Sequence, residues 1–267
     1  MESERTHAPW SYGAVLYEMN LRQQTPEGTL RAAAERLEGL RAMGVDAVWL
    51  MPVYPIGEVN RNGRKMAEAH IVSQEKYGYD GCVIDFDDAT IAEAVGAKVI
   101  FRDDEPAIVD EQQPVLKDLR DVYDMPIPDP MSSGRLSVWL EATERLVEAI
   151  GDHVFVMGRA DQGPFSIACL LRGTTQFMMD LLTEDPKLIA DVLDYCRRIS
   201  AVFAKAQKDA GAHTTSIGDA FAGPNLISPD MYRQFAFEPE RKLVEEVQDY
   251  GIPFSVHILS LIHISEP

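Results

Sequence analysis

Val154-Phe155-Val156-Met157-Gly158-Arg159-Ala160-Asp161-Gln162-Gly163-Pro164-Phe165-Ser166 is the stretch that decides the fold. Val154–Gly158 is a short apolar run of strand type. Three polar residues follow it (Arg159, Asp161, Gln162), and then Gly163-Pro164 opens a helix, proline being favoured in the first helical turn. Strand, polar crossing and helix make one βα unit, with its polar residues at the C-terminal end of the strand. On its own, Gly163-Pro164-Phe165 is a tight turn rather than an anion site.

The unit repeats in both directions. Upstream, a strand Ala14–Met19 precedes a helix marked by Leu30, Ala33, Leu37 and Leu40 and stopped at Gly44; a strand Ala47–Met51 then closes at Pro52. A helix over Met66–Tyr77 leads to a strand Gly81–Phe86, a shorter strand Lys98–Phe101, a loop-dominated 102–135, and a helix Ser137–Ile150. Downstream, helices over Ser166–Leu182 and Pro186–Ala210 lead to a strand His213–Ile217. A helix capped by Ser228-Pro229 then runs to Gly251 and feeds a strand Pro253–Ile258. Six or seven strands separated by helices predict an α/β fold, an incomplete (β/α)8 TIM-type barrel, with a doubly wound open sheet as the alternative.

Both architectures place their chemistry at the C-terminal ends of the strands. That rule selects Asp85, Asp87 and Asp88 at one strand end, Arg159, Asp161 and Gln162 at the next, then Asp219, then His257. Carboxylates, a guanidinium and an imidazole around one mouth suit an amine-bearing or cationic ligand, a metal, or protonation at carbon. Asp87, Asp161 and Asp219 are the expected catalytic residues, and Asp85, Arg159 and Gln162 the expected substrate contacts. His70, His153 and His213 have no partner at ligand spacing, and Met178-Met179 are expected core. Cys82, Cys169 and Cys196 lie too far apart for a CxxC site, so each is expected to be a buried thiol.

Composition narrows the class further. The chain has 267 residues and a formal charge of −18, which opposes binding to nucleic acid or an anionic membrane. No apolar run approaches the roughly 20 residues of a membrane span, and the polar N-terminus is unlike a secretory signal, so a cytoplasmic, reduced location is expected. No P-loop, GxGxxG or HExxH is present.

Several stretches in order, from about residue 66 to 258, resemble the uroporphyrinogen decarboxylase superfamily. They are Tyr79–Ile84 with Asp87 and then Ala94-Val95-Gly96; Gly163-Pro164-Phe165-Ser166; Gly218–Gly223 with Ile227-Ser228-Pro229; and Val256-His257-Ile258. The superfamily includes the decarboxylase of haem synthesis and corrinoid-linked methyltransferases that pass a methyl group to a thiol. The resemblance implies a (β/α)8 barrel and a tetrapyrrole or corrinoid (protein) as partner, with a homodimer possible. It makes Asp87 the residue that would hold pyrrole N–H groups. Leu170 stands near the place of the decarboxylase's Tyr, and Ala220 in the place of its Ser; the Arg-rich N-terminal loop has no counterpart. In the methyltransferase branch zinc sits on a His-x-Cys and a later Cys. His257 matches that His, position 259 is Leu, and no later Cys follows, so the resemblance leaves this metal site incomplete. A decarboxylase reading needs no cofactor, whereas a methyltransferase reading needs zinc and a corrinoid.

The two ends look different. Residues 1–63, with Leu16–Gln23, Gly44–Pro52 and Pro55-Ile56-Gly57, resemble the opening βαβ of an α-amylase-family glycoside hydrolase, without its catalytic carboxylates. Leu259–Pro267 continues neither family and resembles translated sequencing adaptor. The expected organisation is therefore an amylase-like fragment (1–63), a uroporphyrinogen decarboxylase-like barrel (64–258) and a non-native tail (259–267). An enzyme on a tetrapyrrole or corrinoid is the leading expectation, with a catalytically incomplete chimera or a hydrolase fragment as alternatives.

Overall fold

The computed structural model describes residues 14–19, 24–50, 59–84, 87–101 and 106–258. The chain divides into two units, 1–54 and 55–267. In the first, β1 (Leu16–Met19) and β2 (Ala47–Leu50) pair in parallel with Leu16 opposite Ala47. Two short helices join them, α1 (Leu30–Ala34) and α2 (Leu37–Ala42). The single helix expected here is interrupted at Glu35-Arg36, where the Arg36 N–H bonds back three residues to the Ala33 carbonyl and tightens the turn. Met19, Ala33 and Leu40 form a small core, with Tyr17, Leu30, Val45 and Val48 packed on it.

The second unit begins with α3 (Gly63–Tyr77). Its first turn is capped by the Asn62 side chain, which accepts from the Lys65 N–H, and it ends at Gly78, whose φ of 67° suits a residue without a Cβ. There follow β3 (Gly81–Val83), α4 (Thr90–Ala94), β4 (Val99–Ile100), β5 (Ile108–Val109) and α5 (Leu136–Ile150). Next come β6 (Phe155–Gln162), α6 (Pro164–Arg172), α7 (Thr174–Thr183), α8 (Pro186–Asp209) and β7 (Thr214–Gly218). A helical turn, Pro229–Met231, widens into a π-helical segment, Tyr232–Ala236, that runs into α9 (Phe237–Asp249), and β8 (Phe254–His257) closes the series.

One sheet organises this unit, with order β3-β6-β7-β8 and every pair parallel. Consecutive parallel strands with helices between them are an arc of a (β/α)8 TIM-type barrel, which is not closed among the described residues. Helix α8 packs on β6 and β7 through the stripe Ile189, Val192, Leu193, Cys196, Ile199 and Phe203, all buried. Trp139, Phe165, Phe177 and Phe203 fill the core completely, and Phe165 meets Phe177 edge-on at 5.7 Å. Among the described residues no helix is long and apolar enough to cross a membrane.

Three expectations change in detail. The strand over Lys98–Phe101 is not part of the parallel sheet: Val99–Ile100 pairs antiparallel with Ile108–Val109. A two-residue β-branched run takes the nearest extended partner, and β5 lies only a few residues on. The helix over Ser166–Leu182 is two helices, broken at Gly173 with φ 86°. The strand begun at Val154 continues to Gln162, because the ladder to β7 resumes beyond a bulge, Arg159 opposite Ser216 and Gln162 opposite Gly218. Its polar residues are therefore inside the sheet, buried, rather than in a loop after it.

Candidate active site

The shared direction of β3, β6, β7 and β8 brings Asp87, Asp88, Arg159, Asp161, Gln162, Asp219 and His257 to one edge of the sheet. Asp85 lies outside the described residues.

Asp87 is buried and saturated. Its Oδ1 accepts from the Ala89 N–H at 3.0 Å, from the Thr90 hydroxyl at 3.1 Å and from Arg135 Nη2 at 3.2 Å; its Oδ2 accepts from Arg135 Nη1 at 2.6 Å. Two of these contacts tie the carboxylate to the turn that leads into α4, at the Ala89 N–H and the Thr90 hydroxyl, while the guanidinium neutralises it. Arg135 also bonds Glu93 at 2.5 Å, and its guanidinium lies 4.9 Å from the Phe101 ring. Arg61 covers that ring at 3.9 Å. Arg135 and Glu93 were not visible as site residues in the sequence, since Arg135 ends a segment with the composition of a loop.

Asp161 is buried completely, and its φ of 60° is the single positive value among described non-glycine residues. It sits where the β6 ladder slips between Arg159 and Gln162. Its Oδ2 accepts from the Ile91 N–H at 2.6 Å, a second tie from the strand ends into α4, while Oδ1 has no hydrogen-bond partner. Burial, reinforced by the charge of Asp88, holds its carboxyl well above the usual carboxylate range. Gln162 donates to Asp88 Oδ1, and Arg159 Nη2 stands 3.7 Å from the same oxygen. Asp88 is the solvent-exposed member of the group.

Asp219 is also fully buried, with a different set of partners. Its Oδ1 accepts from the Ser166 N–H at 2.7 Å and the Ser166 hydroxyl at 2.6 Å, and its Oδ2 accepts from the Phe165 N–H at 3.3 Å. The Gly163-Pro164-Phe165 turn is thus an anion site after all, and the anion is the protein's own carboxylate at the N-terminus of α6. Glu240 lies against Asp219 and accepts from the Tyr232 hydroxyl at 2.6 Å. Burial pushes Glu240 up to about 8, helped by the Asp219 charge, and burial pushes Asp219 up to about 6. Tyr232 lies in the π-helical segment, and the turn widens just ahead of Pro239, which has no N–H to give the Phe235 carbonyl. Ser166 carried a faint sequence signal as a hydroxyl residue at a helix start. Glu240 carried none, being one acid among several on a charged helix.

His257 gives its carbonyl to the Asp219 N–H at 2.9 Å and is half-buried on β8. No cluster of three or more His, Cys, Asp or Glu residues arranged to hold a metal occurs among the described residues. Cys82, Cys169 and Cys196 are buried and far apart in sequence, and burial pushes each thiol up, Cys82 to about 12. The described residues therefore do not fit a zinc centre. Burial lowers His70 to about 4, which keeps its imidazole neutral, and His213 Nδ1 accepts from the Val156 N–H at 3.1 Å.

A parallel βα arc with buried carboxyls at its strand ends is the architecture of a barrel enzyme site. The comparisons place it more closely. The family described as "Uroporphyrinogen decarboxylase (URO-D)" matches residues 41–265, and the chain belongs to that family. The match begins inside the segment that resembles an α-amylase and runs past position 259. A methylcobamide:CoM methyltransferase of Methanosarcina mazei, MtbA, is 26% identical over 203 residues, covering 75% of this chain and 58% of that one. A uroporphyrinogen decarboxylase of Syntrophotalea carbinolica is 26% identical over 192 residues, covering 70% and 53%. A solved structure of a methyltransferase from Methanosarcina mazei superposes with a TM-score of 0.71 at 26% identity, over 78% of this chain and 60% of that chain. The chain thus spans little more than half the length of these relatives.

Proposed function

We propose that the chain acts on a tetrapyrrole-type macrocycle, recognising its ring N–H groups through carboxyls at the strand ends. The observation that carries this is the set of three buried aspartates, Asp87, Asp161 and Asp219, on successive ends of one parallel sheet in a chain of this family. Carboxyls in a desolvated mouth favour N–H donors and steady positive charge on a pyrrole that is protonated at carbon before its carboxylate leaves as CO2. Arg159 and Gln162 orient the exposed Asp88 at the entrance. Methyl transfer between a corrinoid and a thiol is the second reading, favoured by the likeness to the methylcobamide:CoM methyltransferase across three quarters of this chain. In that reaction zinc would activate the thiol; since the described residues do not fit zinc, no step is routed through it. A corrinoid protein would be the partner in this second case.

The test is direct. The purified chain is incubated anaerobically with uroporphyrinogen, and loss of carboxyl groups is followed by chromatography. In a parallel arm, methylcobalamin plus a thiol is followed by the cobalamin spectrum. Turnover in the first arm supports the macrocycle decarboxylation and turnover in the second supports methyl transfer. Silence in both, with uroporphyrinogen also failing to bind, sinks the proposal.

A further inference from the structure

We propose that Asp161, through Oδ1, is the side chain that receives the ligand's N–H group, and that Asp87 does not touch the ligand. The inference rests on the macrocycle reading above and changes which residue executes it.

Each carboxylate oxygen has about two acceptor directions. Asp87 spends Oδ1 on three donors and Oδ2 on an Arg135 N–H at 2.6 Å, so a ligand N–H would first have to break a buried ion pair. Asp219 is likewise consumed by Ser166 and Phe165. Asp161 alone of the three keeps an oxygen with no partner, although the residue is 0% exposed. Buried polar atoms are almost always satisfied, so an unsatisfied one at the mouth marks the place of an absent group. The Ile91 N–H at 2.6 Å pins Oδ2 and so fixes the direction of Oδ1.

The backbone supports the same assignment. Asp161 is held at φ 60°, which glycine would adopt more easily, by grips on Gln162 after it and on Arg159 two residues before it. From α8, the Ser200 hydroxyl bonds the Gln162 carbonyl at 3.0 Å, and the Gln207 amide bonds the Arg159 carbonyl. A strained residue clamped on either side, with one oxygen unused, is organised for a ligand rather than for stability.

Its charge surroundings define the ligand. Asp87 and Asp88 lie near it, with the Arg159 guanidinium as the nearby cation. Without ligand, burial and these acids keep a proton on Asp161. On binding, that O–H bond breaks, the proton leaves to buffer, and the carboxylate accepts the ligand's N–H. A negatively charged group placed against Oδ1 is disfavoured, and affinity for a ring N–H donor there rises with pH.

Four proteins decide the matter: wild type, Asp161→Asn, Asp161→Gly and Asp87→Asn, each titrated anaerobically with uroporphyrinogen at pH 6 and pH 8 and melted without ligand. Asparagine tolerates this backbone conformation, and glycine relieves it. We expect both Asp161 variants to bind at least tenfold more weakly and to lose the pH dependence of the wild type. Their Tm should hold or rise, by roughly 2–4 °C for Asp161→Gly. Asp87→Asn should melt earlier yet bind within about threefold of wild type below its Tm. Unchanged binding with a lowered Tm in the Asp161 variants overturns the assignment and makes Asp161 a helix cap only. Tenfold weaker binding in Asp87→Asn with Asp161→Asn unaffected overturns it as well. If wild type does not bind uroporphyrinogen, the macrocycle reading fails. The melts then judge Asp161 alone: a higher Tm in Asp161→Gly upholds a carboxyl held against strain, and a lower one sinks it.

Discussion

Asp161 and Asp219 stand at the ends of neighbouring strands that pair in parallel, Gln162 opposite Gly218, and both are fully buried. Asp219 lies at a negative φ of −118° and receives two N–H groups and a hydroxyl from the start of α6. Asp161 lies on strained backbone, receives one N–H, and keeps a bare oxygen. One residue type at neighbouring strand ends has been given two jobs. Asp219 closes the joint between β7 and α6, so its removal should cost stability. Asp161 is left incomplete by the fold, so its removal should cost function. Burial by itself does not separate the two cases; counting donors does.

The largest expected effect falls on the third aspartate, which sharpens the contrast. Arg135→Ala leaves Asp87 and Glu93 without their guanidinium, and Asp87 is buried. An uncompensated buried charge costs about 3–5 kcal/mol. Urea denaturation should show a loss in that range. A loss below about 1 kcal/mol would mean that the pair is not desolvated in solution, and Asp87 would return as a ligand-contact candidate.

Asp219→Ala comes next. It strips the acceptor from Ser166 and Phe165 at a buried helix start, with an expected loss of about 3 kcal/mol from unsatisfied donors. Asp161→Gly should be neutral or stabilising. The opposite signs are the comparison's signature, and equal losses at both positions in the same denaturation assay would erase it.

The third effect is one of pH. The folded chain holds a proton on Glu240, pushed up to about 8, and on Asp219, pushed up to about 6, because burial penalises both charges. The unfolded chain releases these protons near the ordinary carboxylate values. Stability is therefore full below about pH 4.5 and declines as pH rises through the folded values. Between pH 5 and 8.5 wild type should lose stability steadily from this pair. Glu240→Gln, which cannot charge, should flatten the dependence measured by Tm. A wild-type Tm that climbs over this interval would contradict the retention of these protons in the folded chain.

How much of this was legible beforehand depends on what kind of signal each residue leaves. The βα alternation follows from apolar periodicity, and strand-end rules alone selected Asp87, Asp161 and Asp219. Periodicity could not show that Val99–Ile100 would choose a local antiparallel partner, since two residues carry no pattern. Nor could it distinguish a polar strand interior from a strand end, which is why β6 runs four residues farther than its apolar run. Arg135 and Glu240 were invisible as site members, and Ser166 nearly so, because each reaches the site from 42 or more residues away or from an ordinary-looking helix face. Long-range partners become visible only once the chain is folded. The resemblance to a known family pointed to Asp87, the strand-end rule added Asp161 and Asp219, and Asp161 is the one proposed to take the ligand-binding role.

The smallest effect separates the two strand ends by a single methyl group. A Cβ at Gly163 would strike the Asp219 carboxylate, and one at Gly218 would strike Arg159 Nη2. The first obstacle is fixed by three hydrogen bonds, so Gly163→Ala must distort the joint and should cost about 1–2 kcal/mol. The second is the far end of a long side chain that can give way, so Gly218→Ala should cost less than about 1 kcal/mol. Moving Arg159 nonetheless displaces the cation beside Asp88 and Asp161, and uroporphyrinogen binding should weaken by severalfold. Gly163→Ala should therefore be the less stable protein and Gly218→Ala the weaker binder. Finding both defects in the same variant would show that the two ends act as one unit, and the division between a structural and a ligand-bearing aspartate would fall.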